Sequence, residues 1–252
     1  MQPIKHASTI NRAKNWRVLI YGKPGVGKTS AIKSLTGKTL VLDLDDSSKV
    51  LAGVPNVDIQ PFNRKQPMEE LNDFLRELKT VVAGYDNLVI DNVSALEKDW
   101  FVEMGRQSKN GIGNELQDYS RWTNYFARVM TTIFMDAPLN VLVTAWENTR
   151  DVTSETGQSF SQYAPAIRDS VRDGLLGLTD VVGRVMINAK TGGRGVILEG
   201  SDAIFAKNRL DSRTSTPIED LFKFGGDAHA VHATSVPNGA GEQSTPRIGK
   251  RE

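Results

Sequence analysis

The sequence predicts an α/β fold: an open, mostly parallel central sheet flanked by helices, ending in a C-terminal β-hairpin and strand region. Three observations predict it. Short apolar runs bounded by turn residues alternate with stretches of helical periodicity, the pattern of β–α–β connections. A glycine-rich segment, GKPGVGKT, stands between the first apolar run and the first helical stretch. The last part before residue 225 is a succession of strand-like runs.

The elements follow in order. RVLIY (17–21) reads as a buried strand that breaks at Gly22, and KTSAIKSL starts a helix. TLVLDLD (39–45) is a second buried strand and VDIQPF (57–62) a shorter third. In 67–84, Leu71, Phe74, Leu75 and Leu78 recur at helical spacing, and Gly84 suits the helix end. NLVIDN (87–92) is another buried strand. From 94 to 136 the pattern is helical, interrupted by the glycine-containing loop QSKNGIGNE (107–115). LNVLVTAW (139–146) is a strand, and the polar stretch 147–165 after it is too long for a simple connection, so it reads as a functional loop. A helix over 166–177, a hairpin from 180–189 and 196–200, and a last strand AIFAKNRL (203–210) complete the series. Residues 1–15 read as an arm and 16–224 as the core. Residues 225–252, with almost no large apolar side chains, read as a disordered tail.

Composition removes several classes of function. There is no cysteine, which excludes disulfides, zinc–thiolate sites and thiol catalysis. Net charge is +1, so any nucleic-acid path has to be local. No apolar stretch is long enough to span a membrane, and the start lacks the apolar segment of a secretory signal, so a cytoplasmic protein is expected.

The chemistry is concentrated in GKPGVGKTS. It fits G-x-x-x-x-G-K-S/T, between a strand and a helix as the pattern requires. Gly22, Pro24, Gly25, Val26 and Gly27 form a loop whose backbone N–H groups can surround a phosphate, and Ser30 continues the cradle. The expected ligands are ATP and Mg²⁺. Lys28 is expected to reach the β- and γ-phosphates and the Thr29 hydroxyl to ligate the metal. Asp91, ending an apolar strand, supplies the second metal-holding group. Asp43, Asp45 and Asp46 follow the second strand at the sheet edge where ligands of open α/β sheets bind, and are candidates to orient the attacking water.

Taken in order, these motifs resemble the RecA-like recombinase core, and more closely the small phage-encoded RecA-like ATPases that anneal single strands. The resemblance covers about residues 17–224. It rests on GKPGVGKTS, LVLDLD, VDIQPF with the helix MEELNDFLREL, LVIDNVSAL, NVLVTAWENTR and AIFAKNR. It implies that Asp45 takes the place of the family's water-activating Glu, one methylene shorter. Asn148 takes the place of its nucleotide-sensing Gln. Lys207 and Arg209 correspond to a basic pair that completes the ATP site of a neighbouring subunit, and an arginine always carries the charge such a role needs.

The loops 106–115 and 147–165 are then the expected single-stranded DNA contacts. Arg106, Lys109, Arg150 and Arg168 can track phosphates, and Phe160 and Tyr163 can stack on bases. Trp100, Trp122, Tyr125 and Phe126 read as core, and His229 and His232 as tail residues without further metal ligands. The expected function is a DNA-dependent, Mg²⁺-requiring ATPase. It assembles as a homo-oligomer on single-stranded DNA and promotes annealing or recombination in the cytoplasm of a phage host, with a single-strand DNA-binding protein as a further partner. A ring-forming DNA motor and a nucleotide-gated loading module with little turnover use the same ATP site and stand as alternatives.

Overall fold

The computed structural model describes residues 6–108, 111, 116–153 and 157–224. The strands are β1 (Arg17–Gly22), β2 (Thr39–Asp43), β3 (Val57–Pro61), β4 (Asn87–Asp91), β5 (Asn140–Thr153), β6 (Ser159–Pro165), β7 (Val181–Ile187), β8 (Arg194–Ile197), β9 (Lys207–Asn208) and β10 (Ser215–Pro217). The helices are α1 (Pro67–Val81), α2 (Val93–Gln107), α3 (Leu116–Asp136) and α4 (Asp169–Leu178). The sheet order is β10-β8-β7-β1-β5-β4-β2-β3, with β6 paired to β5 and β9 to β7. From β7 to β3 every neighbouring pair is parallel. The hairpins β5–β6 and β7–β8 and the short strands β9 and β10 are antiparallel. This is the mixed α/β fold with a mostly parallel central sheet that the sequence predicts.

The sheet is covered on both faces, which explains why its central strands are apolar throughout. In β1, Leu19 and Tyr21 belong to one core cluster, with Trp100, Trp122 and Phe126 from the helices. Val18 and Ile20 belong to the other, with Ala31, Ile32, Val196 and Leu221. The alternation is that of successive side chains on a strand. The aromatic residues Trp100, Trp122, Tyr125 and Phe126 pack on one another inside the first cluster, as expected. On the other face Trp16 stacks on Phe222, with ring centroids 5.4 Å apart, and so ties the start of the core to its end. Residues 6–15 are exposed, and the tail expected over 225–252 lies outside the described residues.

Three expectations need correction. The helix expected after the glycine-rich loop is a six-residue 3₁₀ segment, Thr29–Ser34. Ala31 N–H is shared between the carbonyls of Gly27 and Lys28, and the segment holds Ser30, Ile32 and Ser34, which are weak helix formers. Anion attraction at this point therefore rests on the loop N–H groups and Lys28, with little help from a helix dipole.

The stretch 147–165 is a hairpin, not a loop. β5 continues past the sheet edge, and β6 returns along it from Thr153↔Ser159 to Glu147↔Pro165. The base of the hairpin packs on the core through Tyr163 and the buried Ala164, while its outer part, over 148–153 and 157–161, is mostly polar and exposed, so the apolar alternation that marks a strand is missing.

Of the strand expected over 203–210 only Lys207–Asn208 joins the sheet, and a further strand, β10, follows it. The Asn208 side chain accepts from the N–H groups of Leu210 and Asp211 and donates to the Arg213 carbonyl. This local bonding turns the chain out of the ladder.

Candidate nucleotide site

β1 ends at Gly22, which the neighbouring β7 crowds: a Cβ there would lie 2.8 Å from the Val185 carbonyl oxygen. The loop then curls through Gly27, whose φ of +104° favours glycine. Lys28 is buried, with 7 % of its surface exposed. Its ammonium donates to the carbonyls of Gly22 (2.9 Å) and Lys23 (3.0 Å), so the lysine closes the loop on itself. Burial lowers its pKa, and the negative charges of Asp91, Asp45 and Glu147 oppose that shift.

Beside the loop, hydroxyls converge on Asp91. Thr29 Oγ1 donates to Asp91 Oδ2 at 2.7 Å and Ser47 Oγ to the same oxygen at 3.2 Å. Thr144, in the neighbouring strand β5, donates to Oδ1. The carboxylate is 1 % exposed. Oxygen donors of this kind suit a hard divalent cation that takes one or two carboxylates and completes its shell with phosphate oxygens and water. Among the described residues no three acidic or histidine side chains gather to hold a metal by themselves. The donor set therefore fits a metal that arrives with a phosphate ligand, which Thr29 and Asp91 would hold.

The three aspartates after β2 separate into different roles. Asp43 accepts the N–H groups of Ser47 (3.0 Å) and Ser48 (3.1 Å), holding the turn that presents Ser47. Asp46 takes a left-handed backbone, φ +59°. Asp45 accepts from Asn92 Nδ2 through Oδ2, while its buried Oδ1 has no hydrogen-bond partner among the described residues. Burial raises its pKa against the opposing polar influence of Ser47, and the charges of Asp91 and Asp43 add to the rise.

On the other face of β5, Glu147 pairs with Arg184 of β7 (Nε to Oε2, 2.7 Å), both nearly buried. The guanidinium lies over the Tyr163 ring, 3.6 Å from its centroid. The Tyr21 hydroxyl lies 2.8 Å from the Phe205 carbonyl and 2.9 Å from that of Tyr163. Burial raises the tyrosine's pKa. This network ties the loop-bearing strand to the hairpin and to the segment before Lys207. Asn148 is exposed beyond it, its Oδ1 accepting from Thr149 N–H. It lines an open cavity of about 520 Å³ under the hairpin together with Arg150, Asp169 and Arg172. Its hydrogen bonding does not reach the loop.

Lys207 and Arg209 dock on the C-terminal end of α4. Lys207 Nζ donates to the Leu176 carbonyl and Arg209 to that of Gly177 at 3.3 Å, where the helix dipole favours cations. The Lys207 ammonium is pushed down to about 8 by burial and by the charge of Arg209, against the opposing charge of Asp180. Lys207 pairs with Val182, near the start of β7. The loop follows the end of β1, which runs parallel to β7. The basic pair therefore lies at the opposite edge of the sheet from its own chain's loop.

The described DNA candidates lie on α2, on the β5–β6 hairpin and just before α4. Arg106 donates to the Lys65 carbonyl at 3.2 Å. Arg168 sits over the rings of Phe101 (4.5 Å) and Tyr119 (4.3 Å). Arg150 grips Gln162 Oε1 at 2.8 and 3.0 Å and lies over Phe205. Arg150, Phe160 and Tyr163 share the β5–β6 hairpin. Lys109 lies outside the described residues.

Ser47, Thr144, Asn92, Glu147, Arg184 and Arg194 are site neighbours that sequence reasoning passed over. Thr144 carried a signal: it is the one hydroxyl inside the apolar run NVLVTAW. No helix among the described residues is long and apolar enough to cross a membrane.

Comparison with known proteins adds one match. The model of a family described as AAA domain matches residues 14–210. No curated protein matches the chain.

Proposed function

The chain belongs to the AAA domain family, an AAA-type P-loop NTPase family, and from that premise we propose that it is a Mg²⁺-dependent ATPase acting on single-stranded DNA. The observation that carries the ATPase reading is the convergence of Thr29, Ser47 and Thr144 on the buried Asp91, beside the loop closed by Lys28. Bound Mg²⁺ supplies charge neutralisation on the β- and γ-phosphate oxygens. Thr29 and Asp91 would hold it, and Lys28 would exchange its two carbonyl partners for phosphate oxygens. Asp45, half-buried and held beside this cluster by Asn92, is the residue placed to orient the attacking water. Its raised pKa makes it a better proton acceptor than an ordinary aspartate.

The DNA reading rests on β5. One strand carries Thr144, bonded to Asp91, and the projecting hairpin with Arg150 and Phe160. A change at the metal site therefore has a direct covalent route to the hairpin. In this reading the hairpin contacts single-stranded DNA, and the protein promotes annealing or recombination. Fluorescence anisotropy with an oligonucleotide at low salt tests it. Binding that is tighter with ATP than with ADP, together with faster ATP turnover on adding DNA, is expected. No binding and no change in turnover rule the DNA reading out.

The position of Lys207 and Arg209 supports a homo-oligomer in which they complete a neighbour's site. They cannot serve their own loop from the far edge of the sheet, and a second copy brings that edge to a loop. Arg209→Ala is expected to bind ATP nearly as wild type does, with turnover lowered about 1,000-fold or more. Mixing it with Lys28→Ala is expected to restore part of the activity, because each variant lends its intact part. No rescue at any mixing ratio rejects the shared site.

A further inference from the structure

We propose that the β7–β8 hairpin supplies a second cation to the nucleotide's phosphates from within the same chain, and that this cation is Arg194. The inference rests on the nucleotide reading above and adds a residue to that site. Arg194 opens β8 and stands opposite Ile187, the last residue of β7. Because β7 lies beside β1 and runs parallel to it, this places Arg194 at the loop's own edge of the sheet.

The contact is direct. A Cβ built on Gly27 would lie 2.7 Å from Arg194 Cδ and 2.8 Å from Nε, so the side chain rests on the bare loop backbone. Only a residue without Cβ lets it approach so closely. The guanidinium makes no hydrogen bond or ion pair among the described residues. Its donors are therefore available to a ligand.

The hairpin turn that presents it is tightly bonded. Asn188 N–H donates to the Gly193 carbonyl and Gly192 N–H to the Asn188 carbonyl, both at 2.8 Å. Asn188 Oδ1 accepts from Lys190 N–H at 2.9 Å. A rigid scaffold of this kind lowers the entropic cost of holding a cation in place.

Electrostatics points to a polyanion. Lys28, next in sequence to Gly27, is already a cation, and residues 181–198 contain no acidic side chain. The acids that face Lys28, namely Asp91, Asp45 and Glu147, come from β4, the end of β2, and β5. Arg194 from β8 and Lys28 from the loop bring two cations to one place, and an anion between them relieves their repulsion. The sheet order puts β7 and β8 on one side of β1 and β5 and β4 on the other. Arg194 therefore flanks the phosphate chain on the side away from Thr29 and Asp91. From there it holds phosphates common to di- and triphosphates. A planar fork can grip two oxygens at once.

The test is the dissociation constant of ATP and of ADP, by calorimetry at fixed ionic strength, on the full chain. Arg194→Ala is expected to weaken both nucleotides to a similar degree, by about 10- to 100-fold. Arg194→Lys is expected to recover part of the loss, since it restores the charge but not the fork. If the alanine variant melts early without nucleotide, Arg194→Met, which keeps a stem against Gly27, is read in its place. Unchanged affinities, or a loss confined to ATP, overturn the proposal. A wild-type protein that binds ATP and ADP while the variants match it removes Arg194 alone. A wild-type protein that binds neither removes the nucleotide reading as well.

Discussion

Replacing Lys28 by alanine is expected to weaken ATP binding by about 2 kcal/mol or more, roughly 30-fold, and to abolish turnover. Among the described residues the lysine is the buried cation inside the loop's curl, so it would meet a polyphosphate in a place water scarcely reaches. Its two bonds to the Gly22 and Lys23 carbonyls hold the ammonium at the mouth of the cradle before nucleotide arrives. Those carbonyls can turn to water when the side chain is cut back, so the fold is expected to survive. A thermal melt monitors that directly. Its lowered pKa bears on the pH dependence: burial favours the neutral amine, while Asp91, Asp45 and Glu147 keep the ammonium charged. ATP affinity is accordingly expected to fall on the alkaline side earlier than an unperturbed lysine would make it fall. Titrating a fluorescent ATP analogue into wild type and Lys28→Ala checks the prediction, and equal affinities refute the assignment of the loop.

Replacing Asp91 by asparagine is expected to lower Mg²⁺-dependent turnover about 100-fold or more, corresponding to several kcal/mol of lost stabilisation at the metal. Size and shape are kept. The hydroxyls of Thr29, Ser47 and Thr144 can rotate to donate to the amide oxygen or accept from its N–H₂, so the cluster stays satisfied. What is lost is one negative charge. Nucleotide binding in metal-free buffer is expected to change much less than turnover. The charge has a second effect. Asp91 is one reason the Asp45 carboxyl is held above its usual range, after burial. Removing it moves Asp45 back down. Where Asp45 acts as the base, residual turnover falls as pH drops through its pKa, and in Asp91→Asn that acid limb is expected at lower pH than in wild type. A pH–rate profile of both proteins reads the effect. An unshifted limb separates Asp45 from the water-orienting role.

Some of this site is legible in the bare sequence. GKPGVGKT has a chemical reason for every fixed residue, and the strand before it is apolar throughout, so loop and strand are found together. Asp91 stands out as a carboxylate ending a buried strand. The position of Thr144 is also legible, since a lone hydroxyl in an apolar strand needs a buried partner. Other features are not. Thr29–Ser34 follows the pattern of a helix start, and only the shared bond of Ala31 N–H shows the tighter turn. The β5–β6 hairpin escapes because strands that leave the core lose apolar alternation. The strand expected over 203–210 divides, because Ala203 and Phe205 bond to Tyr163 of β6, Lys207 and Asn208 pair with β7, and the Asn208 side chain then turns the chain away. Arg194 lies far from the loop in sequence, and only the parallel register of β1 and β7 brings it onto Gly27. Asp43 and Asp45 look equivalent by alternation, yet one holds a turn and the other accepts from Asn92.

ATP binding and ATP turnover, measured side by side on wild type, Lys28→Ala and Asp91→Asn in Mg²⁺ buffer, test the central claim most directly. The claim is that loop and strand end form one site with separable tasks. It predicts that Lys28→Ala loses binding and turnover together, while Asp91→Asn keeps much of the binding and loses the turnover. Wild-type behaviour of both variants would contradict it.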